Sequence, residues 1–257
     1  MIDDKHQMRY ALQALAALNY FTGDWAQMRS HAEQHLTIAR ELGATEGIAD
    51  ALWQMGAAAC GSGDHELGRL LFEQSLELGR KENLPNIIAF ALSSLARLAR
   101  LDGDYARAKV LYMESAQIRR QMGFRSGLAN TLLNLGQVVL HERDSVQAGA
   151  LFEESLAIFR EFTDIEGQVD SLAGFAGVAG VAGKQEHATQ LFGATEAAYE
   201  TLDSEMSTLA HMVYDPIIAT VREQLGEVTF DAAWAEGRKM TLEQAVEYAL
   251  ETEGVNE

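Results

Sequence analysis

The sequence predicts an all-α protein, an α-solenoid of five helix pairs with a 40-residue period and a C-terminal helical cap. Three observations favour this fold class. The 257 residues include only two prolines, and apolar residues recur at helical spacing throughout. Gly-Asp pairs recur 40 residues apart, at 23–24, 63–64 and 103–104. Because one helix pair cannot bury its own apolar face, repeated pairs must stack on one another.

The Gly-Asp step predicts the turn inside each pair. Glycine accepts the left-handed backbone that ends the first helix, and the aspartate can cap the second helix by accepting a free backbone N–H. The fourth and fifth units each lack one member of the step, because Arg143 and Lys184 stand at these positions.

Core positions repeat in the same register. Leucine occupies one position of all five first helices, a small residue follows four positions later, and four second helices carry an aromatic residue. The small residue allows close helix approach, and the aromatic ring is expected to fill the wedge between pairs. The positions are Leu12, Leu52, Leu92, Leu132 and Leu172; Ala16, Gly56, Ala96, Gly136 and Ala176; and Phe72, Tyr112, Phe152 and Phe192.

These boundaries define the predicted domain organisation. Residues 1–7 form an N-terminal tail, the repeats cover about 8–48, 49–88, 89–128, 129–168 and 169–208, and residues 209–257 form the cap. In the cap, Asp215-Pro216 predicts the start of a new helix, with Asp215 as its N-cap. Thr241 and Gln244 form a capping box for a last helix that ends near Glu251.

The first helix of repeat five carries Gly174, Gly177, Gly180 and Gly183, three residues apart. Close helix packing through small residues is the favoured interpretation, and a hinge or a ligand-induced helix is the alternative. A phosphate-binding loop is excluded, because Val178 and Gln185 stand where its glycine and its hydroxyl residue belong.

Composition limits the function classes. The net charge of -18 disfavours direct nucleic-acid binding, and no apolar run is long enough for a membrane span. One cysteine, Cys60, excludes an internal disulfide and predicts a reducing, cytoplasmic location.

His31 and His35 have metal-pair spacing but no apparent third ligand, so no metal or other cofactor is expected. No catalytic triad, carboxylate pair or nucleotide motif is present, so no enzymatic activity is expected.

The repeat resembles a known family. "LLNLG" at 132–136, "GDYARA" at 103–108 and "FEESL" at 152–156 are similar to the tetratricopeptide repeat, although the 40-residue period is longer than its usual unit. The linkers "ELGATEGIAD" and "QMGFRSGLAN" and the tail 231–250 resemble the repeat region of large ATP-dependent, LuxR-like bacterial regulators of the maltose-activator type. The resemblance implies a right-handed superhelix with a concave binding face. It also implies a non-enzymatic interaction or sensor role in bacterial signalling or transcription regulation.

The resemblance places one stripe of each first helix on the concave face. The predicted groove residues are Asp50, Trp53, Phe90, Ser93, Arg97, Arg100, Asn130, Gln137 and His141. The third repeat has seven basic and three acidic side chains, a local charge of +4. Because guanidinium groups bind carboxylates well, the expected partner is a protein or peptide with an acidic segment or a C-terminal carboxylate.

Other interpretations of the groove stay open at this point. Both arginines could pair with acidic residues of this same chain. A small-molecule effector near Trp53, Arg97, Arg100 and His141 is the alternative ligand, and a self-associating scaffold is the third hypothesis. The sequence leaves the oligomeric state undetermined.

Overall fold

The computed structural model describes residues 2–251, with side chains from residue 4 onward. These residues form thirteen α-helices and no strand, which confirms the predicted all-α solenoid class. The helices are α1 (Ile2–Thr22), α2 (Trp25–Glu41), α3 (Thr45–Gly61), α4 (His65–Lys81), α5 (Pro85–Leu101), α6 (Tyr105–Met122), α7 (Arg125–His141), α8 (Ser145–Glu161), α9 (Ile165–Val181), α10 (Gln185–Leu202), α11 (Thr208–Leu225), α12 (Glu227–Gly237) and α13 (Leu242–Glu251).

The chain forms two compact units, an N-terminal unit (Met1–Gly123) and a C-terminal unit (Phe124–Glu257). The N-terminal unit contains α1–α6, and each helix packs on the next along the chain. The C-terminal unit contains α7–α13, in which α7–α10 continue this pattern. Helix α1 begins at Ile2 and therefore includes residues that the sequence analysis assigned to an N-terminal tail. No helix within residues 2–251 is long and apolar enough to cross a membrane.

The predicted turn is present inside each pair. Gly23, Gly63, Gly103 and Gly183 have positive φ angles, and Arg143 adopts the same conformation with φ of 66°. The aspartates at 24, 64, 104 and 144 each accept a hydrogen bond from the backbone N–H three residues later. In the fifth pair Gly183 keeps the positive φ angle, but Lys184 forms no side-chain hydrogen bond that caps α10.

Loss of one cap should have a measurable cost. Asp104 Oδ1 accepts the Arg107 N–H at 3.0 Å at the start of α6. We expect Asp104→Ala to lower the free energy of unfolding by about 1 kcal/mol, as N-cap removal usually does. Urea unfolding followed by circular dichroism measures this. Asp104→Asn, which retains an accepting side chain, is the control and should lose clearly less.

The C-terminal segment differs from the prediction at its proline. Helix α11 runs unbroken through Asp215-Pro216, so the prediction of a new helix at Pro216 is wrong. Val213, Tyr214 and Ile217 are buried on both sides of the proline. Their packing keeps the helix continuous although Pro216 cannot donate its backbone hydrogen bond.

Helix α11 packs on α9 and α7, and its contacts explain two of the four glycines of α9. A Cβ atom at Gly177 would lie 3.0 Å from the Tyr214 ring, and one at Gly180 would lie 2.6 Å from the Ile217 side chain. These contacts agree with the favoured interpretation of close packing through small residues.

Helices α12 and α13 complete the cap. Helix α12 lies against α10 so closely that Gly237 contacts the Gln190 main chain and Gly193 contacts the Trp234 main chain. Thr241 N–H donates to Gln244 Oε1 at 2.9 Å, and Gln244 N–H donates to Thr241 Oγ1 at 3.2 Å. The predicted capping box is therefore confirmed, and the helix that it begins, α13, ends at Glu251.

Candidate functional site

Three aromatic side chains form a stripe across the first helices of the N-terminal unit. Tyr20 of α1, Trp53 of α3 and Phe90 of α5 have ring centroids 6.0 Å and 5.1 Å apart in succession. All three are partly exposed. We call Tyr20, Trp53 and Phe90 the aromatic stripe. Its rings present a continuous apolar surface that an extended partner can contact.

Trp53 is held in place by a hydrogen bond. Its Nε1–H donates to Ser94 Oγ at 2.9 Å, which links α3 to α5. The predicted groove residue Ser93 instead shares a hydrogen bond of 2.8 Å with Ser115, and Ser115 donates to the Ala89 carbonyl. Ser94, one residue after the predicted groove residue Ser93, therefore holds Trp53 in position within the stripe.

Arg97 lies two helical turns beyond Phe90 on α5 and is partly exposed. Its positive charge opposes the rise in the pKa values of the Cys60 thiol and the Tyr112 hydroxyl that burial causes, so it lies near both groups. None of residues 4–251 supplies a carboxylate that forms a salt bridge with it. A partly buried cation of this kind is able to accept an anion from outside the chain.

Two further arginines belong to the same neighbourhood as Arg97. Arg100, one turn further along α5, is only 1% exposed and hydrogen-bonds to the Tyr112 hydroxyl. Arg69 also acts on the Cys60 thiol, although it forms a salt bridge of 2.7 Å with Asp102. Arg100 thus lies in the core, whereas Arg97 lies at the surface.

Arg119 of α6 contacts the aromatic stripe at Phe90. It is 5% exposed, and its guanidinium carbon lies 4.9 Å from the centre of the Phe90 ring. Burial lowers the pKa of Arg119 to about 10. Arg119 was not among the predicted groove residues. Arg119 lies 29 residues after Phe90, in the second helix of the same pair. This spacing was the sequence signal that could have predicted its contact with the Phe90 ring.

Asp50 of α3 belongs to a polar cluster between α1, α2 and α3. Its carboxylate accepts a hydrogen bond of 3.1 Å from Gln54, which also bonds to buried His35. Burial and nearby Glu46 raise the pKa of Asp50 to about 6, despite the opposing charge of Arg9. Asp50 therefore holds the polar cluster together and carries a weakened negative charge near neutral pH.

The other three predicted groove residues belong to α7 in the C-terminal unit. Asn130 and His141 are exposed, whereas Gln137 is buried at 5% exposure. Leu133 and Leu140, on the same stripe of α7, are also buried. The middle of this stripe is therefore buried within the C-terminal unit, and only Asn130 and His141 at its ends are exposed.

His31, His35 and Cys60 all lie among other groups of the chain. His31 Nδ1 contacts Asn19 at 2.8 Å, and His35 contacts Gln54. Within residues 4–251 no group of three histidine, cysteine or acidic side chains could hold a metal ion. Burial raises the pKa of the Cys60 thiol more than Arg97 lowers it, so this thiol stays protonated at neutral pH.

A second carboxyl group with a raised pKa lies in the C-terminal unit. Asp170 of α9 accepts a hydrogen bond from the Tyr199 hydroxyl, and burial raises the pKa of Asp170 to about 6. The folded protein therefore binds this proton more tightly than the unfolded chain. The stability that Asp170 contributes is complete below pH 4 and is lost as the pH rises through about 6.

We expect Asp170→Asn to remove this pH dependence. The amide can still accept the Tyr199 hydroxyl, so the variant should gain stability relative to the parent between pH 4 and pH 7. The expected gain is about 1–3 kcal/mol, measured by urea unfolding at both pH values. Asp203→Asn, at an exposed turn, should follow the parent at both pH values. Equal pH dependence in Asp170→Asn and the parent would contradict the assignment.

Comparison with known proteins agrees with the repeat architecture. Residues 47–121 match the tetratricopeptide repeat family model, and these residues include α4 and α5 with most of α3 and α6. The chain therefore contains tetratricopeptide-type helix pairs in its N-terminal unit.

Two solved structures share the fold. The structure of BtubC (BKLC) from P. vanneervenii superposes with a TM-score of 0.62 at 16% identity, covering 80% of this chain and 90% of that one. The apo form of RapI superposes with a TM-score of 0.59 at 16% identity, covering 85% and 84%. These likenesses concern the fold alone.

The sequence relatives are regulators by name. Proteins named as HTH-type transcriptional regulators in Mycobacterium bovis and Mycobacterium tuberculosis are 29% identical to this chain over 89 residues. The matched segment covers 35% of this chain and spans only about a tenth of the length of these relatives.

Proposed function

We propose that this chain is a non-enzymatic interaction module that binds a peptide segment through the N-terminal unit. The aromatic stripe receives the apolar side chains of the peptide, and Arg97 binds a carboxylate, from either an acidic side chain or the C-terminus. The observation that carries the proposal is Arg97 itself. It is a partly exposed cation in an acidic protein, and no carboxylate of residues 4–251 forms a salt bridge with it.

Other arginines of the chain support this argument by contrast. Arg69, Arg80, Arg125 and Arg238 each have a carboxylate within 2.7 Å. The chain has 38 acidic side chains and 20 basic ones, so acidic residues that could form a salt bridge with Arg97 are plentiful in its own sequence. A carboxylate from another molecule would satisfy the charge of Arg97 through a charge-assisted hydrogen bond.

The regulator assignment rests on the relatives. A chain with tetratricopeptide-type pairs, similar over 89 residues to proteins named as transcriptional regulators, fits the sensor or interaction part of a bacterial signalling or transcription regulator. The linkers and the tail that resemble the LuxR-like, maltose-activator class support the same assignment. We also propose that the protein acts in the cytoplasm.

A selection from a random peptide library tests the binding function without a known ligand. We would select peptides displayed with free C-termini on the immobilised chain, and compare each recovered peptide on Arg97→Glu. Recovered peptides should be rich in aspartate and glutamate beside apolar residues, or should require a free rather than an amidated C-terminus. Failure to enrich any peptide, or equal retention on Arg97→Glu, would overturn the proposal.

A further inference from the structure

Asp50 occupies the position in α3 that Phe90 occupies in α5. The two residues are one 40-residue repeat apart, and Phe90 belongs to the aromatic stripe beside Trp53. The Asp50 side chain is 17% exposed and lies one helical turn before Trp53 on α3. An acidic group is therefore next to the aromatic stripe, within reach of a peptide bound there.

The internal repeat shows which partner Asp50 lacks. Its counterpart 120 residues later, Asp170, accepts a hydrogen bond from the Tyr199 hydroxyl of the paired helix. The residue that corresponds to Tyr199 in the second repeat is Gly79, which has no side-chain donor. Asp50 accepts a hydrogen bond of 3.1 Å from Gln54 Nε2, a neutral group on its own helix. The paired helix therefore does not satisfy Asp50 as it satisfies Asp170.

The charged groups around Asp50 do not provide a counterion either. His35 Nδ1 of α2 lies 3.9 Å from Asp50 Oδ2, but burial lowers the pKa of His35, so its ring is neutral at neutral pH. Arg9 of α1 and Glu46 of α3 act on Asp50 with opposite signs. No lysine or arginine of residues 4–251 forms a salt bridge with Asp50. Burial therefore raises the pKa of Asp50 to about 6, although Arg9 opposes the rise.

We infer that Asp50 is a second charged anchor of the peptide site and binds a cationic group of the ligand, either an ammonium or a guanidinium. The inference rests on the proposed peptide-binding function and adds a positive charge to the groups that the ligand must carry. A cation beside Asp50 forms the charge-assisted hydrogen bond that the chain itself does not supply. The preferred ligands are therefore peptides that carry both a cation and a carboxylate.

The positions of Asp50 and Arg97 set the minimum length of such a peptide. Asp50 corresponds to Phe90, and Arg97 lies seven residues, or two turns, beyond Phe90 on α5. The two anchors are thus about 10 Å apart along the helices and about 10 Å apart from α3 to α5. An extended chain covers at most about 3.6 Å per residue, so a peptide of about four residues or more reaches both anchors.

The peptide-library selection, run in parallel on the parent and on Asp50→Asn, tests the inference. Asparagine keeps an acceptor for Gln54, and the chain itself carries Asn130 at the corresponding position of repeat four. Peptides recovered on the parent should be rich in lysine or arginine, or should require a free N-terminus. Synthetic peptides with an acetylated N-terminus distinguish these two sources of the cation. Asp50→Asn should lose the preference for a cation and keep the preference for acidic residues.

The outcomes separate this inference from the proposed function. An unchanged preference for cations on Asp50→Asn, or no such preference on the parent, would overturn the inference while the role of Arg97 stands. If the preference for cations depends on Asp50 but binding does not depend on Arg97, the inference stands and the carboxylate site is wrong. If no peptide is enriched on the parent, both are wrong.

The pH dependence of binding gives a second test, with a recovered peptide that contains no histidine. A bound cation lowers the pKa of Asp50 from about 6 toward its ordinary value near 4, so binding releases a proton between these pH values. Isothermal titration calorimetry should show the affinity rising about tenfold from pH 5 to pH 7. Asp50→Asn should remove this rise, whereas Asp203→Asn, with the same change in net charge, should keep it. An equal pH profile in Asp50→Asn and the parent would contradict the inference.

Discussion

Arg97→Glu is expected to weaken binding of the library-selected acidic peptides by about tenfold to a hundredfold. The substitution removes a charge-assisted hydrogen bond and places a carboxylate against the carboxylate of the ligand. The loss should be largest at low salt, because the remaining interaction is then repulsive and poorly screened. Isothermal titration calorimetry at low and high salt measures both effects.

Arg40→Glu is the control for this experiment. Arg40 lies at the exposed end of α2. Its substitution by glutamate changes the net charge of the chain by the same amount as Arg97→Glu. It should leave the affinity nearly unchanged at physiological salt. If both substitutions weaken binding equally, the peptide responds to the overall charge of the protein and not to a site at Arg97.

Gly237→Val is expected to destabilise the C-terminal unit by at least about 3 kcal/mol. A Cβ atom at this position would overlap the main-chain carbonyl of Gln190. A backbone atom inside α10 cannot rotate away as a side chain could, so α12 must move off α10. Urea unfolding followed by circular dichroism measures the loss.

The matched control is Ala232→Val, which adds a valine at an exposed position of the same helix. It should cost only the helix propensity of valine, about 0.5 kcal/mol. Similar losses for the two variants would mean that the α10–α12 contact does not contribute to stability as the structure implies.

The repeat was predictable because its signals are local. The glycine and aspartate of each turn act on backbone groups within three or four residues, so their spacing alone predicted the turns and caps. Arg143 shows the limit, since its φ of 66° is imposed on a residue that rarely adopts it. Pro216 was misinterpreted for a related reason, because packing of Tyr214 and Ile217 on α9 outweighs a missing backbone hydrogen bond.

The candidate site was less predictable because it depends on contacts between helices. Spacing identified Trp53, Phe90 and Arg97 as neighbours on first helices, but it could not show that Arg100 points into the core. The presence of Arg119 beneath Phe90 depends on how α6 packs on α5. The burial of Gln137 could not be predicted for the same reason, because it depends on distant residues of the chain.

Photo-cross-linking tests the central claim most directly, because it reports where the peptide lies. A selected peptide would carry a photoreactive side chain next to its essential carboxylate, and the attachment sites would be mapped by mass spectrometry. We expect attachment to α3 and α5, at residues near Trp53, Phe90 and Arg97, with loss of attachment in Arg97→Glu. Attachment confined to other helices would contradict the assignment of the binding site to the aromatic stripe and Arg97.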